Sequence, residues 1–148
     1  MILKRTDSSD IDFQELVRLL DADLAIRDGE DHEFYHQFNS IATLRNCVIA
    51  YCENAAVACG AFKALSEDTV EIKRMYTDTL NRGKGLASKV LGELEAWAKE
   101  EGYKKCVLET GIKQPEAIAL YEKCGYRRIP NYGQYIGIDK SVCYEKIL

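Results

Sequence analysis

No run of apolar residues in this chain is long enough to cross a bilayer as a helix. Histidine occurs only twice, at His32 and His36, and the six cysteines form no C-x-x-C pair. Without carboxylate or cysteine partners at suitable spacing, the two histidines read as surface residues, and no metal site is expected. A disulfide framework is disfavoured for the same want of pattern. The cysteines stand mostly within apolar runs, where a reduced thiol behaves as a small hydrophobe. A basic excess is missing too: 24 acids against 20 bases give a net charge of −4, which argues against a nucleic-acid partner. The opening residues Met1-Ile2-Leu3-Lys4-Arg5-Thr6 lack the pattern of a secretory signal, so the cytoplasm is the expected compartment. Repeats, low-complexity tracts and linkers are absent as well. What remains is a chain of 148 residues, the size of one domain spanning 1–148.

Charge is unevenly spread. Residues 21–33 carry six acids against Arg27, while residues 73–89 carry five bases against Asp78. The acidic segment reads as a solvated turn between helices, with a cationic substrate as the alternative.

Periodicity places the elements. Residues 2–6 read as a strand. Ser8, Ser9 or Asp10 then caps a helix whose apolar positions are Phe13, Leu16, Val17, Leu20 and Leu24. A second short helix is expected after Asp28-Gly29, carrying Phe34, Tyr35 and Phe38. Cys47–Cys52 and Ala55–Lys63 predict a hairpin around Glu53-Asn54, and a further strand ends at Thr77. A helix from Gly85 to about Glu100 is expected to bury Leu86, Val90, Leu91, Leu94 and Trp97, with Gly102 as its stop. A strand around Cys106–Leu108, a helix over 115–123, and a closing hairpin of 126–129 with 142–147 complete an α/β sandwich with a mixed sheet.

The most informative segment is Leu80-Asn81-Arg82-Gly83-Lys84-Gly85-Leu86-Ala87-Ser88, directly after the strand Val70–Thr77. A strand feeding a basic glycine loop that opens a helix presents unpaired backbone N–H groups at the positive end of a helix dipole. That is an anion site, and glycine lets a phosphate approach the backbone. Two familiar phosphate loops are excluded. The triphosphatase loop needs glycines five apart followed by Lys and Ser or Thr, and the dinucleotide fingerprint needs three glycines in a first strand–helix unit.

What the loop does contain is Arg82-x-x-Gly85-x-Ala87, which resembles the Arg/Gln-x-x-Gly-x-Gly/Ala loop of the GNAT superfamily of N-acetyltransferases. A second block, Gln114-Pro115-Glu116-Ala117-Ile118-Ala119-Leu120-Tyr121-Glu122-Lys123-Cys124-Gly125-Tyr126, resembles that family's late helix, with Gln114 where Asn is usual. The resemblance runs from about Val70 to the C-terminus. It implies a GNAT-like fold: a mixed, mostly antiparallel central sheet flanked by helices on both faces.

It also implies acetyl-CoA as co-substrate. The backbone of Arg82, Gly83, Lys84, Gly85, Leu86, Ala87 and Ser88 would hold the diphosphate, while Met75, Tyr76, Thr77 and Gln114 would flank the pantetheine arm. A backbone N–H within Met75–Thr77 would meet the thioester carbonyl, because a strand that splays from its neighbour leaves donors unpaired. Glu71 is the leading candidate for the base and Glu109 the reserve; each could instead be structural, Glu71 through a pair with Lys73. Tyr121 is the candidate acid for the leaving thiolate, or a half-buried tyrosine satisfied elsewhere. The acceptor would lie near Tyr132-Gly133-Gln134-Tyr135 and near His32, Tyr35 and His36. Arg74 would pair with a carboxylate of the acceptor or with an acidic neighbour.

The activity so implied is acetyl transfer to a primary amine by direct attack in a ternary complex, with a small-molecule acceptor. A non-catalytic acyl-CoA-binding module and a protein lysine or N-terminal acetyltransferase are the alternatives. No nucleic acid or membrane partner is expected, and a homodimer is the expectation from relatives that pair through their sheets or C-terminal strands.

Overall fold

Seven short segments build one sheet, and its inner strands are near-continuous buried runs because helices cover both faces. The computed structural model describes residues 1–28 and 44–148. In chain order its elements are β1 (Ile2–Thr6), α1 (Ile11–Asp28), β2 (Asn46–Cys52), β3 (Ala55–Ala64), β4 (Thr69–Thr77), α2 (Leu86–Glu100), β5 (Lys105–Gly111), α3 (Pro115–Lys123), β6 (Arg127–Ile129) and β7 (Ser141–Ile147). The spatial order is β1-β2-β3-β4-β5-β7-β6. Every neighbouring pair is antiparallel except β4 and β5, which run parallel. The expected helix carrying Phe34, Tyr35 and Phe38 lies outside the described residues, as do His32 and His36.

Local chemistry explains the boundaries. The Asp10 carboxylate accepts the Asp12 N–H at 2.9 Å and so caps α1. The β2–β3 hairpin turns through Glu53 (φ 51°) and Asn54 (φ 67°), the paired left-handed residues that a tight two-residue hairpin turn requires.

The two faces of the sheet are covered differently. Phe13, Leu16 and Val17 of α1 pack on Cys47, Ile49, Cys59 and Ala61. On the opposite face Leu86, Val90, Leu91 and Leu94 of α2, with Tyr121 of α3, pack on Val48, Phe62, Val70 and Leu108. Trp97, expected in the core, is only half-buried: its ring meets the edge of Phe62 at 5.8 Å and carries the Arg5 guanidinium at 5.1 Å. That guanidinium is itself bonded to Glu93 and Glu100 of α2, which draws the indole to the rim.

All six cysteines are free thiols. Burial pushes Cys47, Cys59 and Cys106 up to about 12 and Cys143 up to about 11. Cys52 and Cys124 are half-buried. Alkylation of the native protein with iodoacetamide at pH 8, read by peptide mass spectrometry, should therefore label Cys52 and Cys124 well before the other four. All six should react together in denaturant.

Candidate active site

The site begins with a fault in the sheet. The parallel pairing of β4 with β5 covers only Thr69–Glu71 against Lys105–Val107, and beyond Glu71 the two strands part. On its other edge β4 carries a bulge: Cys59 faces Tyr76 and Ala61 faces Lys73, so Arg74 and Met75 together oppose Gly60. Arg74 takes the left-handed conformation (φ 60°), costly for a residue with a side chain. A Cβ at Gly60 would lie 2.4 Å from the Met75 sulfur and 3.0 and 3.1 Å from Leu94 and Val90 of α2, so a side chain there would displace Met75 and press on the helix. The bulge resets the alternation of the strand. Ile72 and Met75 pack toward α2, while Glu71, Lys73, Arg74 and Tyr76 face the α1 side.

Parting strands open two cavities that meet. One, of about 530 Å³, runs between the β4–α2 loop and α3; its walls include Met75, Tyr76, Thr77, Arg82, Gly83, Gly85, Leu86, Ala87, Ser88 and Gln114. The other, of about 110 Å³, is lined by Glu71, Lys73, Arg74, Glu109, Gln114, Tyr121 and Tyr135 among others. Leu20, Met75, Gln114, Ala117 and Tyr121 belong to both walls. The split therefore lets Tyr121 on one face of the sheet and Glu71 on the other share a single space.

The larger cleft is shaped for an anion at one end. Gly83 (φ 79°) and Gly85 (φ 78°) turn the loop through the left-handed region, and a Cβ at either would meet nothing within 4 Å. Conformation, not crowding, calls for glycine at these two places. Gly85 precedes the first turn of α2, and no side chain caps that turn, so its N–H groups face the cleft uncapped. Arg82 is held in place by an Nε bond to the Thr77 carbonyl at 2.9 Å and by stacking 5.7 Å from the Tyr76 ring. Lys84 alone of the loop residues named from sequence is absent from the wall; its ammonium reaches Asn81 at 3.2 Å.

In the smaller cavity Glu71 is 2% exposed and held from three sides. The Tyr132 hydroxyl donates to its Oε2 at 2.6 Å, while Lys63 and Lys73 stand 3.8 and 3.9 Å from its Oε1. Those latter separations are too long for direct hydrogen bonds, so Oε1 keeps acceptor capacity. Burial, then the Glu71 carboxylate, pushes the Tyr132 phenol up and keeps it the donor. Glu109, two residues past Val107 on the same strand face, accepts a bond from Ser141 Oγ at 2.6 Å. Burial likewise pushes the Tyr121 phenol up, so it stays protonated through neutral pH. Burial pushes the Lys73 ammonium down.

Sequence reading placed Tyr132 near the acceptor without seeing that its hydroxyl holds Glu71. It also missed Leu20 and Leu24 of α1 as wall residues, and Asp21 as the partner of Arg74. No local signal marks a contact 53 residues apart. The Glu71-x-Lys73 spacing, by contrast, did place both side chains on one strand face.

A strand that parts from its parallel neighbour lies here beside a glycine loop at a helix N-terminus, where uncapped backbone N–H groups favour an anion. Comparison with known proteins agrees. The sequence pattern described as "Acetyltransferase (GNAT) family" matches residues 13–126, and this chain belongs to that family. It is similar to the uncharacterized N-acetyltransferase YjgM of Escherichia coli, 45% identical over 62 residues that cover 42% of this chain and 37% of that protein. It is also similar to the IAA acetyltransferase of Azospirillum brasilense, 32% identical over 102 residues, covering 68% of this chain and 67% of that one. The matched segments thus span from about a third to two thirds of these relatives. Among solved structures, a Klebsiella pneumoniae protein assigned as an acyl-CoA N-acyltransferase superposes with a TM-score of 0.83 at 30% identity, over 99% of this chain and 97% of that one. An Elizabethkingia anophelis GNAT family acetyltransferase with acetyl-CoA bound shares the fold, with a TM-score of 0.71 at 19% identity over 99% and 97% of the chains.

Proposed function

We propose that this protein is an acetyl-CoA-dependent N-acetyltransferase that acetylates a primary amine on a small molecule, by direct attack within a ternary complex. The observation that carries the reading is the junction of the two cavities at Met75 and Tyr121, where a diphosphate-accepting cleft meets a chamber holding two carboxylates. The residues fit the co-substrate. Uncapped amides at Gly83–Ser88 suit its diphosphate, and the unpaired edge of β4 beyond Glu71 offers backbone donors to the arm and to the thioester carbonyl.

An amine must be neutral to attack, and a lysine-like ammonium is neutral only about one part in a thousand at pH 7. Glu71 Oε1, directly or through a water, accepts that proton, with Glu109 in reserve. Attack forms the N–C bond and breaks the C–S bond. The Tyr121 hydroxyl donates its proton to the departing sulfur, and the proton taken from the amine restores the balance. No cysteine is acylated in this route. The free thiols and the absence, among the described residues, of a helix long and apolar enough to cross a membrane support a cytoplasmic setting. Pairing of two copies through their sheets remains part of the proposal.

Titration of isotope-labelled protein with coenzyme A tests the first half. Amide shifts should move at Gly83–Ser88 and along Met75–Thr77, and a flat response there overturns the reading. Initial rates with amine and acetyl-CoA varied together should give intersecting lines, whereas parallel lines with a trapped acyl-enzyme would refute direct attack. Binding without release of CoA to any amine would leave an acyl-CoA-binding module.

A further inference from the structure

Arg74 is a costly residue where it stands. Its side chain is almost wholly buried, its backbone is left-handed, and its Nε has no hydrogen-bond partner among the described residues. An unpaired buried donor on a charged group costs on the order of 1–3 kcal/mol, and such a group in a native structure calls for an explanation. Part of the guanidinium is accounted for: Nη2 is paired with Asp21 of α1. The Nε edge is not, and Arg74 lies in the wall of the 110 Å³ chamber together with Lys73.

The chamber is therefore dipolar. Glu71 and Glu109 supply acceptors, Arg74 and Lys73 supply positive charge, and all four residues line it. On β4 the acceptor Glu71 and the cation Lys73 are two residues apart on one face, with Lys73 Nζ 3.9 Å from Glu71 Oε1. A ligand matching that spacing carries an ammonium and an anion only a few bonds from each other.

We propose that the acceptor is a free amino acid, its amine directed to Glu71 and Glu109 and its own carboxylate received by Arg74 and Lys73. This rests on the acetyltransferase reading above and deepens it. A lysine within a protein has no free carboxylate beside its amine, so the same geometry turns away from a protein substrate. The volume suits the amino-carboxylate head, with the side chain of the acceptor extending toward Tyr135, which also lines the chamber.

The test compares matched compounds on the wild-type protein. Each of a panel of amino acids is set against its carboxamide and its descarboxy amine, with release of CoA as the kinetic readout. Calorimetry of each N-acetyl amino acid and the matched N-acetyl amine, with CoA present, gives a second readout that needs no turnover. At least one amino acid should exceed both of its analogues by roughly 10- to 100-fold in kcat/KM and in product affinity, the factor expected for charge-assisted hydrogen bonds. In Arg74→Gln that preference should shrink to about twofold, chiefly through KM. Arg74→Lys, which keeps the charge and loses the planar guanidinium, should recover only part of it and serves if the glutamine variant folds poorly. Amines or carboxamides used as well as the amino acids would overturn the proposal and leave the acetyltransferase reading standing. If no amino acid is acetylated or bound in product form, the proposal fails; if no amine of any kind releases CoA, the enzyme reading fails with it.

Discussion

Glu71→Gln should lower kcat for the acceptor amine by about a hundred- to ten-thousand-fold near pH 7, the range that a positioned general base commands. Affinity for CoA should change little, because Glu71 lines the smaller chamber and not the cleft of the glycine loop. The pH profile gives the sharper reading. Without the base, reaction waits for amine already neutral, so kcat/KM of the variant should climb about tenfold per pH unit up to the acceptor's own pKa. A wild-type profile that levels off earlier, against a rising variant, is the expected signature. A variant that keeps wild-type activity would hand the role to Glu109 or to water alone. Tyr132→Phe offers the companion test. It removes the hydroxyl that bonds Glu71 Oε2 at 2.6 Å but leaves the carboxylate, so a loss of about tenfold, well short of Glu71→Gln, should follow.

Phe62→Ala should give the largest loss of stability. Phe62 is 1% exposed and meets Trp97 at 5.8 Å and Tyr103 at 6.2 Å in edge-on contacts. Removing a buried phenyl costs about 3–5 kcal/mol, and in a chain of this size each kcal/mol lowers Tm by about 2–4 °C. A fall of the order of 10 °C by calorimetry is expected. The same cavity loosens α2 against β3, and α2 carries the amides proposed to hold the diphosphate. CoA affinity should therefore weaken although Phe62 lies outside the cleft wall. A variant with reduced Tm and unaltered CoA affinity would show that α2 is seated by its other apolar contacts alone.

Much of this architecture was legible in the order of residues. Short apolar runs bounded by turn residues made strands, and Phe13, Leu16 and Val17 at helical spacing made the buried stripe of α1. The glycine loop was readable because the left-handed angles at Gly83 and Gly85 are a local demand, and local demands leave their mark on residue type. Gly125, likewise left-handed at φ 93°, closed α3 where the motif placed its end. Trp97 was misjudged because helical spacing assigns a face and cannot say how far the sheet extends to cover it.

The proposed chemical centre belongs to the other class. Glu71 was nameable from its strand, but its bond to Tyr132, 61 positions away, arises only when the closing loop folds over the same face. The parting of β4 from β5 leaves no trace in either strand, since a hydrogen bond that is not made requires no particular side chain. Nor could the bulge at Arg74 be read: a single residue changes the face on which every later side chain falls, and only the partner strand shows that it has done so. Sequence alone indicated most of the described elements and the left-handed glycine loop, because backbone conformation and burial pattern act within a few residues. The tertiary structure decided where the two cavities meet and which charges face each other, because those depend on distances between segments the chain brings together only on folding.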